Sequence, residues 1–235
     1  MVTAPSARWL VDKSGATVGP RLSRRSRALF IGDPAFSREF LPGKDPLPAA
    51  VAEVALAGES FPNSVSLSGT AATIQAFWSL APEAAIVHFA GHAIARTDEP
   101  GSSALVFAPS PDGEDTGILY AREIATHRLA NVRLVALAAC DTARNGGGSD
   151  DSTSSLARAF LAAGARSVLA TLWPVDDQVS AAFFAVFYRE LAANGDVTAA
   201  YATALRSLRT SSDEKLAAPR SWGAFQLTTT FASPT

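Results

Sequence analysis

The sequence predicts an α/β protein with a mostly parallel sheet flanked by helices, and three observations carry that reading. Apolar runs of strand length alternate with stretches of helical length, the order in which crossover helices join parallel strands. Several runs are nearly continuous in Val, Ile, Leu and Ala, as strands covered on both faces are. The 235 residues, 48% hydrophobic and 18% charged, suffice for one full core, as one domain or one domain with a small annex.

Taken in order, residues 1–26 read as an N-terminal extension packing on or leading into the domain. It is punctuated by Pro5, Gly15, Gly19 and Pro20, with a candidate edge strand near Trp9. Arg21, Arg24, Arg25 and Arg27 read as a solvated face, too few for a nucleic-acid footprint in an acidic chain. From there the domain is expected to occupy 27–235. Arg27 to Pro34 is a strand stopped by Gly32 and Pro34, Pro46 to Leu56 a helix opened by proline, and Val65 to Leu67 a short strand. Thr70 to Leu80 is a helix with Gly69 and Thr70 at its start. Ala84 to Ala93 is a strand, Ala104 to Ala108 another, and Ile118 to Ile124 a short strand entering a helix. Val132 to Cys140 is a buried strand. Ser152 to Ala163 places Leu156, Ala159, Phe160 and Ala163 at helical spacing and stops at Gly164. Arg166 to Trp173 is the next strand, and Pro174 opens a helix to Ala193 whose Phe183, Phe184, Phe187, Tyr188 and Leu191 cover the sheet. Asn194-Gly195 closes it. A helix over Thr198 to Leu208 and a half-exposed strand from Trp222 to Phe231 finish the chain.

Composition excludes several classes. A net charge of -2 gives no general attraction to nucleic acid or an anionic membrane. The single cysteine cannot form an internal disulfide, no segment reads as a signal peptide, and no apolar run nears the roughly 20 residues of a membrane span. The expected compartment is the cytoplasm, with no direct nucleic-acid or membrane partner.

The chemistry centres on that cysteine. Cys140 stands where a strand stops before a Gly-rich stretch, and open α/β sheets place their chemistry at the carboxyl ends of strands. A buried free cysteine is usually a small hydrophobe, but a second strand delivers His92 beside a glycine, 48 residues before Cys140. That spacing is close to the roughly 50-residue separation of caspase-type dyads. His88 and His92 do not make a zinc pair, because residues four apart on a strand lie about 13 Å apart. His88 reads as a core or supporting histidine and His127 as a surface one. Residues 145–155 have linker composition that fits a surface loop or a gate over the site. Gly146-Gly-Gly148 lacks the Gly-Lys-Ser/Thr of a phosphate loop. No metal and no cofactor is expected.

The motifs also form a set: His88-Phe-Ala-Gly-His92, Ala139-Cys-Asp-Thr-Ala143, Leu156 to Val168, Leu172-Trp-Pro-Val-Asp-Asp177 and Trp222-Gly-Ala-Phe225. With Phe30 to Phe36, Leu47-Pro-Ala-Ala50, Glu53, Leu67, Gly69 and Ala72-Thr73 upstream, they resemble the CHAT domain, a caspase- and separase-related group of bacterial cysteine peptidases. The resemblance implies a caspase-like three-layer fold and regulated proteolysis of a protein substrate in a bacterial defence or cell-death system, with an activating sensor or regulatory protein as a candidate partner. It marks His92 and Cys140 as the dyad. Backbone N–H groups of Gly91, Ala93 and Cys140 become candidate oxyanion donors. Asp177 resembles the arginine-binding aspartate of a Trp-x-Val-x-Asp pattern, and Asp176 and Asp141 join it as candidate substrate-binding carboxylates. Either Asp176 or Asp177 could instead cap the helix that follows, so a basic and an apolar preference both stay open. Two departures stand out: Asp141 replaces the Glu that many members carry after the cysteine, and Ala93 replaces a Gly, which a left-handed backbone there would strain. Members often carry TPR repeats or other sensor modules, so this chain is expected to be a stand-alone effector or a fragment. The rival reading is a caspase-like scaffold without turnover.

Overall fold

The computed structural model describes residues 2–3, 21–94, 96, 99–139 and 151–230. Its strands are β1 (Val2–Thr3), β2 (Ala28–Pro34), β3 (Ser64–Gly69), β4 (Ile86–Ala90), β5 (Ala93–Ile94), β6 (Ala104–Val106), β7 (Ile118–Tyr120), β8 (Leu134–Ala138), β9 (Ser167–Thr171) and β10 (Phe225–Thr229). The helices are α1 (Pro48–Glu59), α2 (Ile74–Leu80), α3 (Ala121–Ile124), α4 (Asp151–Ala162), α5 (Asp177–Asn194), α6 (Val197–Arg209), α7 (Glu214–Ala217) and α8 (Pro219–Trp222). Seven strands make one sheet in the order β1-β10-β9-β8-β4-β2-β3. From β3 to β9 the neighbours run parallel, while β10 is antiparallel to β9 and parallel to β1.

Strand periodicity divides the core into two layers. Leu29, Ile31, Val87, Phe89, Val135, Leu137 and Val168 pack with Phe77 of α2 and Phe160 of α4 on one face. Phe30, Ile86, Ala90, Leu134, Ala136 and Leu169 pack with Val54 of α1, the Phe183, Phe184 and Phe187 row of α5, and Tyr201 of α6 on the other. The result is the expected three-layer arrangement. Each fully buried phenylalanine contributes about 1.5–3 kcal/mol through area removed from water. At the end of α5, Gly195 takes φ 70, and a Cβ there would lie 2.1 Å from the Leu22 carbonyl oxygen. Only glycine allows that helix end to close against the segment leading into β2.

Some boundaries differ from the sequence expectation, each for a local reason. The helix expected from Thr70 begins at Ile74, because Thr73 is its N-cap, its hydroxyl accepting from Ala76 N at 3.1 Å. The helix expected from Pro174 begins at Asp177, after Asp176 takes extended backbone as the cap. The strand expected to run through His92 ends at Ala90. The 104–108 run does not enter the main sheet: β6 pairs antiparallel with β5 and β7, since its short connections cannot hold a crossover helix. Of the linker-like stretch 145–155, residues 145–150 lie outside the described residues, and from Asp151 the chain is already helical. The candidate edge strand near Trp9 also falls outside them.

His88 is a core residue, as expected. It is fully buried on β4, with Nδ1 2.8 Å from the Tyr188 hydroxyl and its ring edge-on to Phe184 at 4.8 Å. Burial, with the Glu53 carboxylate beside it, pushes the Tyr188 phenol well up, so it stays neutral. His88→Ala is expected to leave a cavity and an orphaned hydroxyl, costing about 3 kcal/mol. Thermal unfolding should show a midpoint lowered by about 6–12 °C, and a wild-type midpoint would contradict the core role.

Candidate active site

β4 and β8 are adjacent parallel strands at the centre of the sheet, in the register Ile86↔Leu134 through Ala90↔Ala138. The paired residues are 48 apart in the sequence, the same separation as His92 and Cys140. The chain leaves both strands at matched positions, and His92 follows Ala90 by two residues just as Cys140 follows Ala138. Cys140 and Asp141 lie outside the described residues.

A cleft of 190 Å³ opens at this end of the sheet. Ala90, Gly91 and His92 border it from β4, Ala138 and Thr171 from the ends of β8 and β9, Lys44, Leu47, Ala50 and Glu53 from α1 and its approach, and Val175, Asp177 and Ser180 from α5 and the segment before it. Gly91 has to be glycine for space: a Cβ would meet the Phe89 ring at 2.9 Å and the Pro34 ring at 3.0 Å. Ala93 is not a lining residue but enters β5 opposite Leu105. Its φ is not positive, so the strain that alanine could have caused there does not arise.

His92 is held on two sides. Its ring stands edge-on to Phe36 at 4.8 Å, and Nε2 lies 2.9 Å from the main-chain oxygen of Asp45. A carbonyl can only accept, so Nε2 carries the hydrogen and Nδ1 keeps its lone pair. Burial pushes the imidazole below its ordinary value. Lys44 acts in the same direction, while the Asp45 carbonyl and the Asp33 carboxylate act against it. The neutral, lone-pair form is the one that can take a proton.

Asp33 underlies this arrangement, and sequence reasoning passed over it. It is the sole non-glycine residue with positive φ, 47°, among the described residues, and it sits at a bulge between Gly32 and Pro34. Its Oδ1 accepts from Leu47 N at 2.8 Å, pinning the far end of the segment that presents the Asp45 carbonyl. The Gly-Asp-Pro sequence signalled a turn but not this bond.

The two neighbouring aspartates separate by role. Asp176 caps α5, accepting from Gln178 N at 3.0 Å, and pairs with Lys215 at 2.8 Å. The Lys215 contact first, and the Gln178 N–H next, hold its carboxyl below the usual range. It borders a separate hollow with Arg220 and Ser221. Asp177 borders the His92 cleft. His127 is exposed and stacks on Trp78 at 3.7 Å, away from the cleft residues. Among the described residues no group of three or more His, Cys, Asp or Glu could hold a metal, and no helix is long and apolar enough to cross a membrane.

The family model for the CHAT domain matches residues 1–230. The chain is 29% identical to Tetratricopeptide repeat protein 28 of Mus musculus over 218 residues, 77% of this chain and 8% of that protein. It thus spans less than a tenth of the curated relatives it matches. Among solved structures, the Arg-specific cysteine proteinase gingipain R of Porphyromonas gingivalis superposes with a TM-score of 0.50 at 9% identity, covering 88% of this chain and 47% of that one. The Drosophila initiator caspase Dronc gives 0.48 at 12% identity, covering 85% and 80%. The fold is that of caspase-like cysteine proteases: a mostly parallel sheet between helical layers.

A neutral, buried imidazole also links the site to stability. The folded chain binds the His92 proton less readily than the unfolded chain, so the stability from this residue is full above the ordinary value of 6.5 and is lost as pH falls below it. Urea unfolding between about pH 5 and 8 should show wild type losing stability on acidification more steeply than His92→Gln. Parallel pH profiles would show that His92 carries no such linkage.

Proposed function

We propose, on the premise that the chain belongs to the CHAT domain family, that it is a cysteine endopeptidase in which His92 and Cys140 form the dyad. The observation that carries this reading is the β4–β8 register. It brings the chain out of two neighbouring central strands at matched points, with a proton-accepting imidazole after one and the single cysteine of the sequence after the other.

In the proposed reaction His92 Nδ1 takes the proton of the Cys140 thiol, and the thiolate attacks the peptide carbonyl carbon. Backbone N–H groups of Gly91 and Cys140 are the candidate donors to the oxyanion, with Ala93 removed to β5. In contacts of this kind one lost donor costs roughly 10²–10³ in rate. The C–N bond breaks as the imidazolium returns its proton to the leaving amine, and a thioester remains. Water, deprotonated by His92, then attacks the thioester; the C–S bond breaks, the acid leaves and the thiol is restored. No step calls on a cofactor.

Asp177 is the carboxylate we assign to the residue before the scissile bond, supported by its place on the cleft while Asp176 is engaged in capping. Asp141 remains a second candidate on the strength of the family pattern. A protein substrate, an activating sensor or regulatory protein, a cytoplasmic location and a bacterial defence or cell-death setting complete the reading, and these rest on the family resemblance.

A thiol-reactive peptidyl probe should label wild type and fail to label Cys140→Ala. Cys140→Ala and His92→Ala should each abolish peptide cleavage while thermal unfolding remains cooperative. Absence of any Cys140-dependent labelling or cleavage would leave the scaffold reading. In a peptide library, Asp177→Lys should suppress cleavage after Arg or Lys far more than after Leu or Met; an apolar preference unchanged between wild type and Asp177→Ala would remove Asp177 from the substrate site.

A further inference from the structure

The end of the sheet away from the cleft is rimmed by the residues that enter its parallel strands: Arg27 before β2, Ala85 before β4, Arg133 before β8 and Arg166 before β9. Carried back two residues, the β8–β9 register of Val135↔Val168 sets Arg133 level with Arg166. The ladder reaches that far, since Arg166 N donates to the Val132 oxygen at 3.2 Å and Arg133 N to the Ala85 oxygen at 2.8 Å. Val135 and Val168 face the same core layer, so the residues two before them share that side of the sheet. Two arginines therefore stand side by side on one face, a strand spacing of about 4.8 Å apart.

Neither arginine has a counter-charge. Arg27, on the same rim, is paired with Glu83, but among the described residues no carboxylate forms an ion pair with Arg133 or Arg166, and neither guanidinium makes a hydrogen bond. Both side chains are half-buried. Burial first, and then the Arg166 charge, push the Arg133 guanidinium below its ordinary value. Neighbouring carbonyls do not take up the donors either. At the end of α4 the Phe160 and Ala163 oxygens accept from Ala165 N and Leu129 N, and the Arg166 oxygen accepts from both the N–H and the hydroxyl of Thr230. Like charges held together partly out of water repel, and an anion between them turns that repulsion into attraction.

We propose that Arg133 and Arg166 together form a binding site for a phosphate group, at the opposite end of the sheet from the cleft. A guanidinium presents five N–H donors in a rigid fork and accepts nothing. A tetrahedral dianion balances two such groups and has enough oxygens to take a bidentate pair of bonds from each. A carboxylate carries one charge and two oxygens, so it fills one fork and leaves the other bare. The phosphate is either the free ion or the phosphoryl group of a modified side chain on a partner, and the recognition chemistry is the same for both. The site lies about 16 Å from Ala138, five residues along β8 at ~3.3 Å each, and it does not rest on the endopeptidase reading.

The test is calorimetric titration of the full chain with inorganic phosphate at about pH 8, where phosphate carries close to two charges, with sodium chloride holding the ionic strength constant. One saturable site of millimolar affinity or tighter is expected. Arg133→Gln and Arg166→Gln should each weaken it roughly tenfold or more, through loss of a charge-assisted bidentate pair. Arg166→Lys, which keeps the charge and loses the fork, should weaken it less than Arg166→Gln, and it serves if the glutamine variants do not fold. Acetate should bind roughly tenfold more weakly than phosphate, or worse. In chloride alone both glutamine variants should unfold at or above the wild-type midpoint, because each removes one of two like charges. No saturation by about 20 mM phosphate, acetate binding as tightly, or both glutamine variants binding phosphate as wild type does would each overturn the proposal. Glutamine variants that unfold well below wild type in chloride would also overturn it, by showing that the arginines serve the fold. Acetyl-Ala-phosphoserine-Ala amide separates the two sources: displacement of phosphate by this peptide supports a phosphorylated partner, and its exclusion while phosphate binds supports the free ion.

Discussion

The pairing of β4 with β8 is the constraint from which the rest follows. Both strands are buried on both faces, so each residue is committed to one of two different cores, and a slip of one position would exchange them all. His88 would then leave Tyr188 and Phe184 for the opposite layer. Once the register is locked, the exits of the two strands are locked with it. The helices that cover the His88 side, α1 and α5, necessarily overhang those exits and become the walls of the cleft.

Much of this was legible in the sequence because burial on both faces leaves so plain a mark. Runs such as Ile86 to Ala90 and Leu134 to Ala138 have little alternative to being central strands, and Gly164 and Gly195 end helices where their φ freedom is needed. The site was legible only in part. His92 and Asp177 stood out by motif and both border the cleft; Glu53 and the segment holding Asp33 belonged to the same motif set, but the bonds they make were not legible. Asp33 acts through an uncommon backbone conformation, Asp45 through its main-chain oxygen, and Glu53 through a hydroxyl 127 positions away. None of these bonds leaves a pattern along the chain. Of the small sheet, β6 and β7 were legible as strands, but β5 and their pairing with it were not, because a strand of two residues falls below the length at which periodicity can be read.

Low identity to gingipain R alongside a shared fold is consistent with this division. A fold specified by which positions are apolar tolerates wide exchange among Val, Ile, Leu, Ala and Phe, provided volume and patterning survive. The polar groups around the cleft are under a different constraint, since each buried donor or acceptor must meet a partner or a ligand. Divergence between chains of this fold is therefore expected to concentrate in the polar groups that border the cleft, while the frame that presents them stays the same.

The support of His92 by a peptide oxygen has a consequence for how this protein can vary. The Asp45 side chain is exposed, and the oxygen that orients the imidazole belongs to the backbone every amino acid shares. Position 45 can therefore drift freely over evolutionary time, and a scan that swaps side chains one by one would pass it as inert. The sensitivity is displaced onto residues that aim the chain, above all Asp33, which does not itself border the cleft and acts by accepting from the Leu47 N–H. A support for the imidazole can thus matter as geometry while remaining invisible as a letter.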